Sequence, residues 1–176
     1  MQLRPLRRGH VGSFDFVQAQ THDGRSLRVL TLIDEHSRTC LALKVARRIN
    51  SVGVIETLAD AMCLHSIPEH IRRDNGPEMI SKALRQWVAK TGPQIQYIAP
   101  GSPWENVYCE SFNGRLRDEC LRQEIFYSLK EAQIVIGRWQ STYSRVRPHS
   151  SIGYRPPAPV SFLDLASRLP VAAGMQ

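Results

Sequence analysis

With 176 residues, 42% hydrophobic and 22% charged, the chain is long enough for one domain with a real core and too short for two ordinary ones. It carries 23 basic against 16 acidic side chains, a formal net charge of +7, and its lysines are confined to Lys44, Lys82, Lys90 and Lys130. Nearly all the basicity is therefore arginine, whose flat, permanently charged fork suits phosphate; the charge fits a nucleic-acid partner and equally a basic surface with no such role.

In chain order, residues 1–13 read as an irregular basic lead-in, with the core running over 14–155 and a proline-rich tail over 156–176. FDFVQAQ (14–20) alternates as a strand does, and the turn signal His22-Asp23-Gly24 follows it. SLRVLTLID (26–34) is a second strand, with Leu27, Val29, Thr31 and Ile33 on one face, and TCLALKVA (39–46) is a third. Short turns between the three imply an antiparallel meander. The period then changes: Val54, Ile55, Leu58, Ala61 and Met62 follow helical spacing between Val52 and Leu64. A short strand, HIRR, leads to Asp74, where Asn75-Gly76-Pro77 turns the chain. A helix is predicted over 78–91, a strand at IQYIA, a helical stretch over 105–122, and a last helix capped by Ser128 and Glu131. The tail YRPPAPVSF must be extended, because prolines cannot continue a helix. The expected fold is α/β, a mixed sheet of three antiparallel strands then two further strands, with helices on both faces.

No secretory signal or membrane span is present: the start, MQLRPLRRGHVG, lacks the apolar segment that a signal requires. A cytoplasmic protein is expected. Cys40, Cys63, Cys109 and Cys120 form no CxxC pair and read as buried free thiols. His36, Cys40, Cys63, His65 and His70 repeat no ligand spacing known for zinc.

Three acids stand in unusual settings. Asp15 interrupts an apolar strand, on the face opposite Phe14 and Phe16; Asp74 ends a short strand; Glu110 lies in a helical pattern. Asp15 comes 59 positions before Asp74, and 35 residues separate Asp74 from Glu110. Together with FDFV, LIDEHSR, RRDNGPEM, PGSPWENVYCESFNGRLRDEC, IFYSLKEAQ and YSRVRPHSSIGYRPPAPV, this order resembles bacterial insertion-sequence transposases sharing the retroviral-integrase catalytic core. The resemblance covers about residues 10 to 160. It implies a ribonuclease H-like fold and assigns Asp15, Asp74 and Glu110 as the catalytic, metal-binding trio of the DDE type.

What the resemblance implies about chemistry is specific. Mg2+ (or Mn2+), as two ions, would be held by the three carboxylates, since Mg2+ prefers an octahedral shell of oxygens. Two ions could activate a water or a DNA 3′-hydroxyl and stabilise the leaving oxygen. The implied activity is metal-dependent strand cleavage and 3′-end strand transfer on double-stranded DNA, with self-association on DNA. Asn113, Arg115, Arg117, Arg122, Arg147 and His149 are the expected DNA contacts. Asp34 is expected to be structural, at a strand end. Gly12, Val107 and Ser144 replace the family's usual tryptophan, glycine and asparagine; a β-branched Val107 could crowd the site. The chain starts 14 residues before Asp15, so an N-terminal DNA-recognition region or a separate polypeptide is an expected partner. The alternative is a DNA-binding core that is inactive or dependent on that region.

Overall fold

The computed structural model describes residues 3–74, 76, 81–99, 101–146 and 153. Its sheet has five strands: β1 (Val11–Gln20), β2 (Ser26–Asp34), β3 (Cys40–Ala46), β4 (His70–Arg73) and β5 (Gln94–Tyr97), in the order β3-β2-β1-β4-β5. The meander β1-β2-β3 is antiparallel, and β4 and β5 add on in parallel. Parallel neighbours need crossovers, supplied by α1 (Ser51–Leu64) and α2 (Lys82–Thr91). After β5 the chain passes through a 3-10 turn (Pro103–Asn106) into α3 (Val107–Leu116), a π turn (Arg117–Leu121) and α4 (Leu129–Arg145).

β2 reads as a nearly continuous apolar run because both of its faces are covered. Leu27, Val29 and Ile33 join Val17 and a cluster contributed by Cys109, Phe112, Leu116 and Ile136 of the later helices. Leu30 and Leu32 turn the other way, joining Phe14 and Ile71 against Val54, Leu58, Leu84 and Val88 of α1 and α2. Full burial of a side chain such as Leu58 or Leu84 contributes ~1.5–3 kcal/mol, so the second face is anchored by the crossover helices.

The predicted order of elements is the observed one, with local differences. β1 begins at Val11, before Phe14, because Val11, Gly12 and Ser13 pair with His70, Ile71 and Arg72. α2 begins at Lys82, since Ser81 has non-helical dihedrals and its side chain accepts from Leu84 N–H. Residues 105–122 form three successive kinds of helix; Arg122 N–H reaches back five residues to Arg117 C=O at 2.9 Å. The last helix is capped as expected: Ser128 Oγ accepts from Glu131 N–H at 3.1 Å, while Glu131 Oε2 accepts from Tyr127 N–H at 2.9 Å. Cys63 is exposed, unlike the other three cysteines, because it falls outside the buried stripe of α1 formed by Val54, Thr57, Leu58 and Ala61.

Asp34 closes the β2–β3 connection. Its Oδ2 accepts from Ser37 N–H and Oγ–H at 2.7 and 2.6 Å, and its Oδ1 accepts from Gly9 N–H at 2.9 Å. Beside it, Arg72 donates to both oxygens of fully buried Glu35 at 2.8 Å and to Leu3 C=O at 2.6 Å. That pair ties the lead-in to β4. Among the described residues, no helix is long and apolar enough to cross a membrane.

Candidate active site

The site is built where β1, β4 and α3 meet. Asp15 lies opposite Thr31 in the β1–β2 register, on the face that α3 covers. Phe16 N–H donates to its Oδ1 at 2.8 Å, and Asn113 Nδ2–H donates to its Oδ2 at 3.1 Å. Asn113 cannot turn its amide over freely, because Thr31 Oγ–H donates to its Oδ1 at 2.8 Å. Cys109 Sγ sits 3.8 Å from the same hydroxyl. Each oxygen of Asp15 therefore has one protein donor, and the plane of the carboxylate is set from two sides.

Burial pushes the Asp15 carboxyl above its ordinary range, and the negative charge of Asp74 pushes the same way. The Phe16 and Asn113 hydrogen bonds and the charge of Arg117 act against this without cancelling it. Burial and the charge of Asp15 likewise raise the Cys109 thiol, which stays neutral and serves as packing. Asp15 and Asp74, close enough for the charge of Asp74 to act on Asp15, offer hard carboxylate oxygens of the kind a divalent cation such as Mg2+ takes.

Asp74 follows directly on β4 and is exposed, which brings its charge to bear on Asp15. Glu110 is exposed on α3, between buried Cys109 and the turn that carries Asn113. The three acids are not drawn into one tight cluster. Among the described residues, the trio of ligand-type side chains whose donor atoms all lie within 4.8 Å of one another is instead His10, Glu69 and His70.

The expected DNA contacts are distributed unevenly. Arg117 is exposed and near enough for its charge to lower the Asp15 pKa. Arg115 is half-buried at the end of α3, and Arg122 is exposed and paired with Asp118 at 2.6 Å, one helical turn away. Arg147 and His149 lie outside the described residues, as do Asn75, Pro77 and Glu78. Asn113 is 1% exposed, and both ends of its amide are occupied within the protein. Val107 is 46% exposed at the start of α3, so its branched side chain points away from the sheet and does not crowd it. Glu105 caps the preceding loop by accepting from Ala99 N–H at 3.0 Å.

The contacts of Thr31 and Asn113 around Asp15 are absent from the reading of the sequence alone, though a signal was there. Cys109, Phe112, Asn113 and Leu116 are the buried stripe of α3, and Thr31 stands among Leu27, Val29 and Ile33. A polar group inside an apolar stripe must find a partner.

The integrase core domain model matches residues 5–103, and a second model of the same description matches 91–157. A 39.2 kDa protein of insertion element IS476 from Xanthomonas euvesicatoria is 40% identical over 146 residues, 83% of this chain and 42% of its own length. A 31.7 kDa protein of insertion element IS407 from Burkholderia multivorans is 37% identical over 84% of this chain and 53% of its own. The chain thus spans about half the length of these relatives. The HTLV-2 integrase catalytic core, solved in complex with magnesium, superimposes with a TM-score of 0.68 over 87% of this chain and 97% of that one, at 18% identity. A chain of the simian T-cell lymphotropic virus intasome, solved with a PP2A regulatory subunit, gives 0.76 over 89% of this chain and 55% of that one, also at 18% identity. The sheet order and the two-sided packing are those of a ribonuclease H-like fold, and with the family match across more than half its length the chain belongs to the integrase core domain family.

Proposed function

We propose that this chain is the catalytic core of an insertion-sequence transposase, a DDE-type polynucleotidyl transferase that cuts double-stranded DNA and joins its 3′ ends. The observation that carries the reading is the Asp15 carboxylate, oriented by Phe16 N–H and Asn113 and burdened by the charge of Asp74. Asp15, Asp74 and Glu110 would hold Mg2+ or Mn2+. When bound, such ions supply charge neutralisation at the phosphate and make a water or 3′-hydroxyl a competent nucleophile.

The chain's own residues contribute the rest. Asn113 and Thr31 fix the Asp15 plane before DNA arrives, so no reorientation is needed at the reacting phosphate. Arg117, exposed and close enough to act on Asp15, offers a fork to a phosphate, and Arg115 at the end of α3 and Arg122 after the π turn are further phosphate candidates. Arg147 and His149 are assigned to the DNA surface by the sequence motif. A transposase must handle two DNA ends together, so self-association on DNA belongs to the same proposal.

The test is cleavage and joining of a short labelled duplex with Mg2+ or Mn2+, for the wild type beside Asp15→Asn, Asp74→Asn and Glu110→Gln. Metal-dependent product is expected from the wild type and from none of the variants, each of which should still bind DNA. An active Glu110→Gln protein would sink the assignment. The length of the relatives favours a second reading, a core that needs a recognition region: DNA binding without product, restored by adding that region, would establish it.

A further inference from the structure

At the other end of the parallel strands lies a second cluster. His10 precedes β1, Glu69 precedes β4 and His70 opens it, so the three lie at the strand starts. Asp74 is four residues further along β4, or ~13 Å at the usual rise of a strand. Backbone pairing brings the cluster together: Glu69 N–H donates to Gly9 C=O at 3.1 Å and His70 N–H to His10 C=O at 3.0 Å. Gly9 has φ +75°, a turn conformation that costs an L side chain and delivers His10 beside His70. The two rings meet edge to face, with centroids 5.2 Å apart and planes at 90°. His10 is 7% exposed, and its Nε2 faces Glu69 Oε2 at 3.7 Å.

We propose that His10, Glu69 and His70 form a binding site for Zn2+ or a similar transition-metal ion, separate from the acid trio and clamping the start of β1 to the start of β4. The donor chemistry selects the class of ion. Two imidazole nitrogens and one carboxylate suit Zn2+, Co2+ or Ni2+, whereas Mg2+ wants an all-oxygen octahedron. The donor atoms already lie within 4.8 Å of one another, so small side-chain movements bring them to a common ion.

The surroundings supply the outer contacts such sites require. Arg7 pairs with Glu69 Oε1, which leaves Oε2 toward the rings. The Gln96 amide lies 3.3 Å from His70 Nδ1, which leaves Nε2 as the open nitrogen of that ring. Turned over, the same amide would accept from Nδ1–H and fix the tautomer that coordinates through Nε2.

His10 imposes a condition. Its Nδ1 accepts from Leu6 N–H at 3.1 Å, which places the ring proton on Nε2. An ion on Nε2 moves that proton to Nδ1, so coordination and the Leu6 bond exclude each other. Leu6 is 77% exposed, so its amide passes readily to water. Metal binding therefore has a local signature in the lead-in as well as at the ligands.

The experiment is titration of the full chain with Zn2+ by calorimetry, and with Co2+ by visible absorption, in excess Mg2+ so that all-oxygen sites are filled. One equivalent is expected to bind, with affinity falling at least tenfold in His70→Ala and in Glu69→Gln. The Leu6 amide resonance should shift with Zn2+ in the wild type and stay in place in both variants. Each variant's thermal unfolding, measured first, shows that it is folded. Failure of the folded wild type to take up Zn2+ would overturn the proposal. So would unchanged affinity in both folded variants, which would place the ion elsewhere, for example at exposed Cys63.

Discussion

Asn113→Asp is the substitution that most sharply tests the active-site geometry. It keeps the size and the contact with Thr31, but replaces the amide donor facing Asp15 by a second carboxylate oxygen. That oxygen would start at the 3.1 Å now occupied by a hydrogen bond. Two unit charges at that separation repel by about 5 kcal/mol at an effective dielectric near 20. The lost charge-assisted hydrogen bond adds ~1.5–3 kcal/mol. Both figures are upper bounds, because the pair can share a proton or move apart.

Sharing a proton gives the prediction its sign. The paired acids in the folded variant would titrate above the unfolded value of about 3.9. Between those values the folded state binds more protons than the unfolded state, so stability falls as pH rises. Asp15 is already raised in the wild type, so the quantity to follow is the gap between variant and wild type. Urea unfolding at about pH 5 and pH 8 should show that gap widening at the higher pH. Asn113→Ala, which adds no charge but removes the hydrogen bond that favours the Asp15 carboxylate, should show the gap widening by less. Strand transfer should fall about 10- to 100-fold in Asn113→Ala, since each ~1.4 kcal/mol of lost positioning is tenfold in rate. A constant gap for Asn113→Asp, or full activity in either variant, would refute an orienting role for Asn113.

Four further outcomes are expected. Replacing Arg72 by Met leaves Glu35, fully buried, without its partner and should cost ~3–5 kcal/mol, while Glu35→Leu with Arg72→Met should cost less than that single change; equal losses in chemical denaturation would argue against the buried pair. Burial pushes the Glu35 carboxyl from 4.5 up to about 7, so its contribution to stability is present at low pH and is lost as pH rises across that window; Glu35→Gln should flatten this part of the stability–pH curve. Val107→Gly should lower stability by ~0.5–1 kcal/mol without raising strand-transfer activity, because Val107 is 46% exposed; a gain in activity would show that the branched side chain does obstruct the site. DNA affinity should fall with salt at a log–log slope of about −0.9 per phosphate, and Arg117→Ala should reduce that slope by about 1; an unchanged slope would remove Arg117 from the DNA surface.

The fold was legible because its strands announce themselves by period. SLRVLTLID alternates its contacts between two helical layers, and Pro68 and Gly92-Pro93 punctuate the crossovers. The boundaries were less legible where pairing is non-local: nothing in Val11-Gly12-Ser13 by itself says that β4 will lie alongside, yet that pairing is what extends β1. The three acids stood out by their joint order and the motifs around them, since an acid at a strand end or on a helix is by itself ordinary.

The relation of Asn113 to those acids was harder to read, and the reason is geometric. Glu110 and Asn113 are three apart on α3, so both fall near one face of a helical projection. A residue at the margin of that face is solvated, however, while one within the Cys109–Phe112–Leu116 stripe is pressed on the sheet. Glu110 is therefore free to meet an external ligand, whereas Asn113 meets Asp15 from below. The same helix turn thus divides its polar residues by depth: the exposed one is open to an external ligand, and the buried one donates to Asp15.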